Sequence, residues 1–231
     1  MRRLTAALLL GATLSTPAAA FDISAMSPEE KEAFGTAVRD YLMENPEVLI
    51  ESINVLESRQ AQDAATTDPQ LVQQHQAELF EDGASWVGGN PQGDLSMVAF
   101  IDYRCGVCRQ FNQEVHDAVE EDGNIRLILK EFPILGEDSV RSSRFAVAVL
   151  QEAGPEAYAK AHDALMALRT PATPAALEEI AGDIGVDAPA VMARMDSDDV
   201  TAVLAANQAL GQAMAIQGTP TFVIGDQMLR G

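Results

Sequence analysis

Only two cysteines, Cys105 and Cys108, occur among the 231 residues of this chain. So small a number excludes the framework of several structural disulfides that small secreted domains use. Histidine is also scarce, and the three histidines are scattered along the sequence, at His75, His116 and His162. A structural zinc site needs four ligands, commonly two pairs, so this spacing argues against one. We therefore expect no metal and no cofactor, and the cysteines remain available for chemistry on other proteins.

Basic residues are few as well. There are 15 Lys and Arg against 35 Asp and Glu, which gives a formal net charge of −20. This charge would repel a phosphate-coated partner, so we expect no binding of nucleic acid. The N-terminal apolar run, Leu4–Leu14, is too short to span a bilayer; it follows Arg2 and Arg3 and precedes Ala18-Ala19-Ala20. This arrangement predicts a signal peptide at residues 1–20, cleaved on secretion into an oxidising compartment, the bacterial periplasm.

The two cysteines stand where the apolar pattern changes from strand to helix. Met97–Ile101 is typical of a short buried strand, and after the Cys105-Gly106-Val107-Cys108 motif apolar residues recur at helical spacing, at Phe111, Val115, Ala118 and Val119. Cys105 is then at a helix N-terminus, where unpaired N–H groups and the helix dipole favour a thiolate. This predicts Cys105 as the nucleophile and Cys108 as the resolving thiol. Arg104 and Arg109 would add positive charge beside them.

Alternatives to redox chemistry at this motif are weaker. A disulfide that closes so small a loop constrains the unfolded chain little, so a purely structural bond would stabilise the fold only slightly. The pair could instead supply half of a soft-ligand copper or zinc site, in a protein that carries the metal. A third alternative is a chaperone-like oligomer, in which the binding surface matters more than the thiols.

Residues 21–83 contain helix signals and no strand pattern. Ser27-Pro28-Glu29-Glu30 is a capping box, Asn45-Pro46 separates a first helix from a second, and Asp68-Pro69 repeats the start signal before a third. Apolar residues form one face of the first two helices, at Phe34, Val38, Tyr41, Leu42, Leu49, Ile53 and Leu56. This face packs either on the rest of the chain or on other copies as an oligomerisation segment. The polar stretch 60–67 would let the segment swing away from the following domain.

The remainder, residues 84–231, alternates strands and helices. The Gly88–Asp94 cluster predicts a turn and a boundary. Ile125–Phe132 is typical of a second buried strand, which implies a parallel pair with the strand before the cysteines. Residues from about 139 to 217 form several helices, with His162 at the edge of the core. Gly218–Gly231 predicts a turn, a strand, a Gly-Asp turn and a return strand.

Three of these stretches, Phe100–Cys108, Lys130–Gly136 and Gly218–Phe222, together resemble the DsbA-like branch of the thioredoxin superfamily. The resemblance implies an α/β thioredoxin fold over residues 84–231 with a helical insertion at about 139–217. Relatives continue into a C-terminal helix that packs on the sheet, and no counterpart is present in this sequence. We therefore expect the sequence to be a truncated record.

The resemblance also implies the roles of individual residues. Cys105 would be the exposed nucleophile and Cys108 the buried partner. A cis bond between Thr219 and Pro220 would face the disulfide, and the Thr219 backbone would bind an extended substrate. Supporting positions are Gly106, Val107 and Arg104. Many relatives have a buried glutamate six residues before the first cysteine, which assists proton transfer from the second thiol; this chain has Ala99 there. Water or another carboxylate, Glu131 or Asp102, would have to replace it.

The N-terminal helices are similar to those of ScsC-type proteins, on the stretch Tyr41–Leu49. Members of that group are secreted and trimeric and are associated with copper tolerance and disulfide shuffling. The resemblance favours a homo-oligomer, with a trimer as one possibility. We expect a thiol–disulfide oxidoreductase that acts on cysteine-containing secreted proteins and exchanges electrons with a membrane redox partner. The sequence leaves the direction open between oxidase, reductase and isomerase.

Overall fold

The computed structural model describes residues 26–231, so the signal peptide predicted at 1–20 lies outside the described residues. The chain divides into two compact units, one ending at Ser58 and the other comprising Arg59–Gly231. No helix within residues 26–231 has both the length and the apolarity that crossing a membrane would require.

The first unit contains α1 (Pro28–Glu44) and the start of α2 (Glu47–Gln74). The predicted capping box is present: the Ser27 hydroxyl accepts from the Glu30 N–H at 3.2 Å, and the Glu30 carboxylate accepts from the Ser27 N–H at 2.8 Å. Within the described span of α1 no residue is buried. Many apolar residues of α1 and early α2 are between 42 and 59 % exposed: Phe34, Val38, Tyr41, Leu49, Ile50, Ile53, Val55 and Leu56. Met43 is 70 % exposed, whereas Leu42 of the predicted face is only half-buried.

The helix start expected at Asp68-Pro69 is wrong, because α2 continues through Pro69 to Gln74. The Asp68 carboxylate forms two hydrogen bonds to the Arg230 guanidinium, at 2.6 and 2.7 Å, and so is engaged away from the backbone N–H groups that a helix cap would bind. The polar stretch 60–67 is likewise helical rather than a flexible connection.

The described residues of the second unit form a five-stranded sheet in the order β1-β3-β2-β4-β5. Its strands are β1 (Trp86–Gly89), β2 (Leu95–Ile101), β3 (Ile125–Glu131), β4 (Thr221–Ile224) and β5 (Gln227–Arg230). β2 and β3 pair in parallel, as predicted, and the other neighbouring pairs are antiparallel. The C-terminal hairpin is also as predicted.

β1 is a strand that the sequence pattern does not reveal, because its glycines are typical of a turn. Gly89 has φ +64°, and a Cβ there would overlap the Ile125 carbonyl of the neighbouring strand. Glycine is required because the backbone adopts a left-handed conformation and approaches β3 closely. The expected turn at Gly88–Asp94 therefore begins only after Gly89.

Helices cover the sheet on both faces. They are α3 (Gln76–Phe80), α4 (Gly106–Asp122), α5 (Glu137–Ala153), α6 (Pro155–Ala167), α7 (Pro174–Ile184), α8 (Ala188–Arg194) and α9 (Asp198–Ala213). α4 connects the parallel strands β2 and β3, and α5 to α9 form the predicted insertion. On α4, Cys108 and Val119 are buried, but Phe111 is 39 % exposed and Ala118 is exposed, so the predicted apolar face is only partly correct.

Alternate residues of the central strands face two separate cores. Ala99 and Leu129 belong to the larger core with α4 to α8, whereas Phe100 belongs to a smaller core with Val72 of α2 and Leu79 of α3. Residues 59–83 are thus part of the compact unit that contains the sheet. The domain boundary expected after residue 83 lies instead after Ser58, inside α2.

Candidate active site

Cys105 is the N-cap residue of α4. β2 ends at Ile101, and the Cys105 N–H donates to the Asp102 carbonyl at 3.1 Å as the chain turns from strand to helix. The backbone of Cys105 is extended (φ −72°, ψ 120°), and its Sγ accepts a hydrogen bond from the Cys108 N–H at 3.3 Å. The sulfur therefore occupies the position at which a helix stabilises negative charge.

Cys105 also contacts the Thr-Pro segment, which lies 114 residues away in sequence. The thiol donates to the Thr219 carbonyl oxygen at 3.1 Å, and the Thr219–Pro220 peptide bond is cis, as the resemblance implies. Cys105 is only 7 % exposed, so the expectation of an exposed sulfur is wrong for this structure, because the Thr219 carbonyl lies against it. Cys108 is 4 % exposed.

The two thiols differ in acidity. Burial alone would raise the pKa of Cys105, but hydrogen bonds from the backbone of Cys108 and Val107 outweigh it and lower the pKa below the usual thiol value. Burial, together with the adjacent Cys105 sulfur, raises the pKa of Cys108 to about 12. Cys105 is therefore the better nucleophile near neutral pH. Gly106 and Val107, between the cysteines, are exposed.

Arginines beside the cysteines bind the loop between α6 and α7. Arg104 donates through Nη1 to the Thr170 carbonyl at 3.0 Å, and Arg109 donates through Nη2 to the Leu168 carbonyl at 2.6 Å. These bonds fasten the start of α4 to that loop. Arg109 is close enough for its charge to interact with Cys105.

Asp102 fixes the turn before the first cysteine. Its Oδ1 accepts from the Arg104 N–H at 2.7 Å and from the Ser139 hydroxyl at 2.8 Å. Its Oδ2 accepts from the N–H groups of Ile134 and Leu135, at 2.8 and 3.1 Å. The carboxylate thus connects the turn to the loop after β3 and to the start of α5.

Glu131, at the end of β3, is a buried carboxyl group whose neighbours the sequence does not reveal. Its Oε1 accepts from the hydroxyls of Tyr103 and Tyr158, at 2.8 and 2.6 Å, and its Oε2 accepts from the Ser143 hydroxyl at 2.6 Å. Burial raises the pKa of Glu131 to about 7, although the three hydrogen bonds oppose this effect. The signal in the sequence is an acidic residue at the end of a strand that is mostly apolar.

His162 joins this cluster instead of lying at the core edge. Its Nδ1 is 3.2 Å from the Tyr103 hydroxyl, and its Nε2 is 2.8 Å from Asn112 Oδ1. Burial, with a further contribution from His116, lowers the pKa of His162 to about 3, so the ring is neutral. His116, His162 and Asp163 place possible metal-ligand atoms within 4.8 Å of one another, although they are scattered in sequence; neither cysteine belongs to this group.

An acidic thiol at a helix N-terminus, a buried partner thiol and a facing cis-proline define a thioredoxin-fold thiol–disulfide oxidoreductase. The model of the DSBA-like thioredoxin domain matches residues 96–231, more than half of the sequence, and the chain belongs to this family. A second model, the copper resistance protein ScsC N-terminal domain, matches residues 30–63. The fold class, the enzyme class and the family predicted from the sequence are therefore confirmed.

Solved structures agree with this assignment. A thioredoxin-like oxidoreductase from Silicibacter pomeroyi DSS-3 is 39 % identical (TM-score 0.62), with 67 % of this chain and 88 % of that chain covered. Proteus mirabilis ScsC in a compact conformation is 30 % identical (TM-score 0.63), with 85 % and 96 % covered. Salmonella enterica Typhimurium BcfH is 29 % identical (TM-score 0.65), with 85 % and 83 % covered. No curated protein matches the chain.

Proposed function

We propose that the protein is exported to the periplasm and rearranges wrong disulfides in cysteine-containing secreted proteins, with Cys105 as nucleophile. The Cys105 thiolate attacks a substrate disulfide, forms a mixed disulfide and releases one substrate thiolate. That thiolate then attacks the correct partner and releases Cys105, or Cys108 attacks Cys105 and releases the substrate reduced. The observation that carries this proposal is the position of the Cys105 sulfur, which accepts from the Cys108 N–H at the start of α4 and faces the Thr219 carbonyl.

The Thr219 segment supports substrate binding next to the reacting sulfur. The Thr219 carbonyl is within hydrogen-bond distance of Cys105 Sγ, so an extended peptide beside this residue would present its own cysteine to the thiolate. We assign Thr219 and Pro220 to substrate binding, and Cys105 and Cys108 to catalysis. Export is supported by the signal-like N-terminus and by a neighbour described as a periplasmic thioredoxin-like protein from Salmonella enterica.

The direction of the reaction depends, in this proposal, on association of several copies through α1 and the start of α2. The apolar residues there remain about half exposed, and so many of them in one segment are unfavourable in water. We take a second copy of the chain as the occupant, and the match of residues 30–63 to an ScsC N-terminal domain supports this choice, because the ScsC-type proteins that the sequence resembles are trimeric. Several tethered Cys105 sites would meet one substrate at high effective concentration. They would also be shielded from a membrane oxidase and stay reduced, which suits isomerisation.

Full-length mature protein with Leu49→Asp and Ile53→Asp tests this proposal. Both side chains are about half exposed, so the changes should leave the fold of each copy intact. We expect a monomer by light scattering that loses reshuffling of a scrambled multi-disulfide protein but still oxidises a simple dithiol peptide. Glu51→Ala, an exposed change on the same helix, is the matched control. A wild-type protein that is already monomeric would contradict the proposal and favour an oxidase.

Deletion of residues 21–83 would be a poorer test, because it removes groups that pack on the sheet. Leu79 is fully buried, and Lys130 of β3 donates to the Glu78 carbonyl and to Asp82, both at 2.6 Å. A shorter deletion, of residues 21–58, leaves these contacts in place. We expect it to behave as the doubly substituted protein does.

A further inference from the structure

Cys108 has to exchange a proton whenever it takes part in the reaction. When it attacks the mixed disulfide it must lose its proton, and when a substrate thiolate releases it from the Cys105–Cys108 disulfide it must regain one. The thiol is buried, and burial alone raises the pKa of Cys108 above the usual thiol value, so deprotonation at neutral pH needs a base within reach. The residue six positions before the first cysteine is Ala99, which has no carboxylate to act as this base.

A small cavity lies against Cys108 and polar side chains of α4 and α6. It has a volume of about 20 Å³, and Cys108, Asn112, His116 and His162 are among the residues that line it. This volume is enough for one water molecule, which needs about 10–15 Å³. A water there would have the Cys108 sulfur and polar side chains of α4 and α6 as partners.

From this cavity a chain of buried hydrogen bonds runs to Glu131. The two ring nitrogens of His162 have different partners. Nε2 is 2.8 Å from Asn112 Oδ1, and Nδ1 is 3.2 Å from the Tyr103 hydroxyl. The same hydroxyl is 2.8 Å from Glu131 Oε1. Two groups that can each accept and donate a proton, the His162 ring and the Tyr103 hydroxyl, therefore connect the cavity to a buried carboxyl group.

The chain can hold its hydrogens in two arrangements, which also differ in the orientation of the Asn112 amide. With Glu131 ionised, Tyr103 donates to the carboxylate and His162 donates to Tyr103 through Nδ1; the Asn112 amide must then turn its oxygen away from the unprotonated Nε2, which can accept. With Glu131 protonated, the carboxyl donates to Tyr103, Tyr103 donates to Nδ1, and Nε2–H donates to Asn112. Passage of one proton along the chain, with a turn of the Asn112 amide, converts the first arrangement into the second.

We propose that Glu131 accepts and returns the proton of Cys108, through a cavity water, His162 and Tyr103. The water takes the proton from Sγ as that sulfur attacks Cys105 and gives its own to His162 Nε2. Nδ1 then gives its proton to Tyr103, which gives its hydroxyl proton to Glu131. The products are the Cys105–Cys108 disulfide, a substrate thiolate and a protonated Glu131; the reverse sequence protonates Cys108 as it leaves. This rests on the thiol–disulfide exchange proposed above.

Glu131 suits this role better than the other nearby groups do. Its pKa of about 7 lets it both accept and release a proton near neutral pH, whereas the low pKa of His162 makes that ring a carrier that does not retain the proton. The Asp102 carboxylate, which raises the pKa of Glu131, already accepts from four donors, three backbone N–H groups and the Ser139 hydroxyl. His116, which faces His162, is the remaining alternative.

The test is the pH dependence of Cys108 attack, measured by stopped flow on a mixed disulfide preformed between Cys105 and a chromophoric thiol. The wild-type rate should rise with pH and level off with an inflection near pH 7. Glu131→Gln should lose this inflection and be ~10-fold slower at pH 7.5, a modest share of what general base catalysis can supply. It keeps the size of the side chain and an oxygen acceptor.

Two tyrosines provide a matched pair of variants. Both hydroxyls donate to Glu131 Oε1, but only that of Tyr103 also contacts His162. Tyr103→Phe should lose the inflection, whereas Tyr158→Phe should keep it at a higher pH, because loss of one donor raises the pKa of Glu131. His116→Gln should keep the inflection.

Several outcomes would overturn the proposal. Equal profiles for Tyr103→Phe and Tyr158→Phe would show that both tyrosines act only on stability, and loss of the inflection in His116→Gln would make His116 the acceptor. If Glu131→Gln fails to fold, the two tyrosine variants still decide. A wild-type protein that forms no mixed disulfide at Cys105 refutes the proposed function itself, which is a different result from a mixed disulfide with an unaltered pH profile.

Discussion

Replacement of Glu131 by glutamine should change how the stability of the protein depends on pH. The pKa of this carboxyl is about 7 in the folded protein against an ordinary value of 4.5, and burial is the main cause. The folded state therefore binds a proton more tightly than the unfolded state does. The contribution of protonated Glu131 to the free energy of unfolding is fully present below about pH 4.5 and is lost as the pH rises through 7.

The difference between the pKa of Glu131 in the folded protein and its ordinary value corresponds to about 3 kcal/mol of unfolding free energy, at ~1.4 kcal/mol for each pH unit. Urea unfolding of the reduced protein between pH 4.5 and 7.5 measures the effect. The free energy of unfolding of the wild type should fall by about 3 kcal/mol more over this range than that of Glu131→Gln. Glu121→Gln, an exposed change at the end of α4, should follow the wild type. Parallel curves for wild type and Glu131→Gln would refute the assignment of a raised pKa.

Three further predictions concern the thiols and the packing of the sheet. Alkylation of the reduced protein at pH 6 should label Cys105 before Cys108, because the pKa of the first thiol is lowered and that of the second is raised; peptide mapping that finds the reverse contradicts the assignment. Gly211→Ala should lower the free energy of unfolding by about 1–3 kcal/mol, because a Cβ there overlaps the ring of Phe132; an unchanged urea midpoint would show that this ring can move. Asp68→Asn should lower the free energy of unfolding by about 2 kcal/mol, because it removes the charge that binds Arg230 of β5. This value lies between those typical of exposed and of buried ion pairs. Thermal unfolding that matches the wild type would show that the pair contributes little.

Sequence patterns correctly predict those helices and strands whose determining residues lie close together in the chain. Ser27 caps α1 through residues within one helical turn, and the change of apolar period at Cys105 marks the junction of β2 and α4. The C-terminal hairpin follows from Gly225-Asp226 between two short apolar runs. In each case the residues that determine the structure are near one another in the chain, so one sequence is sufficient.

Other features depend on partners that are distant in sequence. Asp68 has the residue type and the following proline of a helix cap, but its partner is 162 residues away, and α2 continues past it. Glu131 and His162 meet through Tyr103, which is 28 and 59 residues from them. Residue type and spacing contain no information on such contacts before the fold is known. The acidic residue at the end of β3 could be named as a candidate, but its donors could not.

Lys130 and Glu131 are neighbours in β3 and serve opposite faces of the sheet. The ammonium group binds Asp82 beneath one face, and the carboxyl group is enclosed by hydroxyls on the other. Because side chains alternate along a strand, insertion or deletion of one residue in β3 would exchange the two environments. It would place an ammonium among the tyrosines and a carboxylate against Asp82. Related sequences should therefore keep the length of this strand, so alignments of distant relatives can be anchored there.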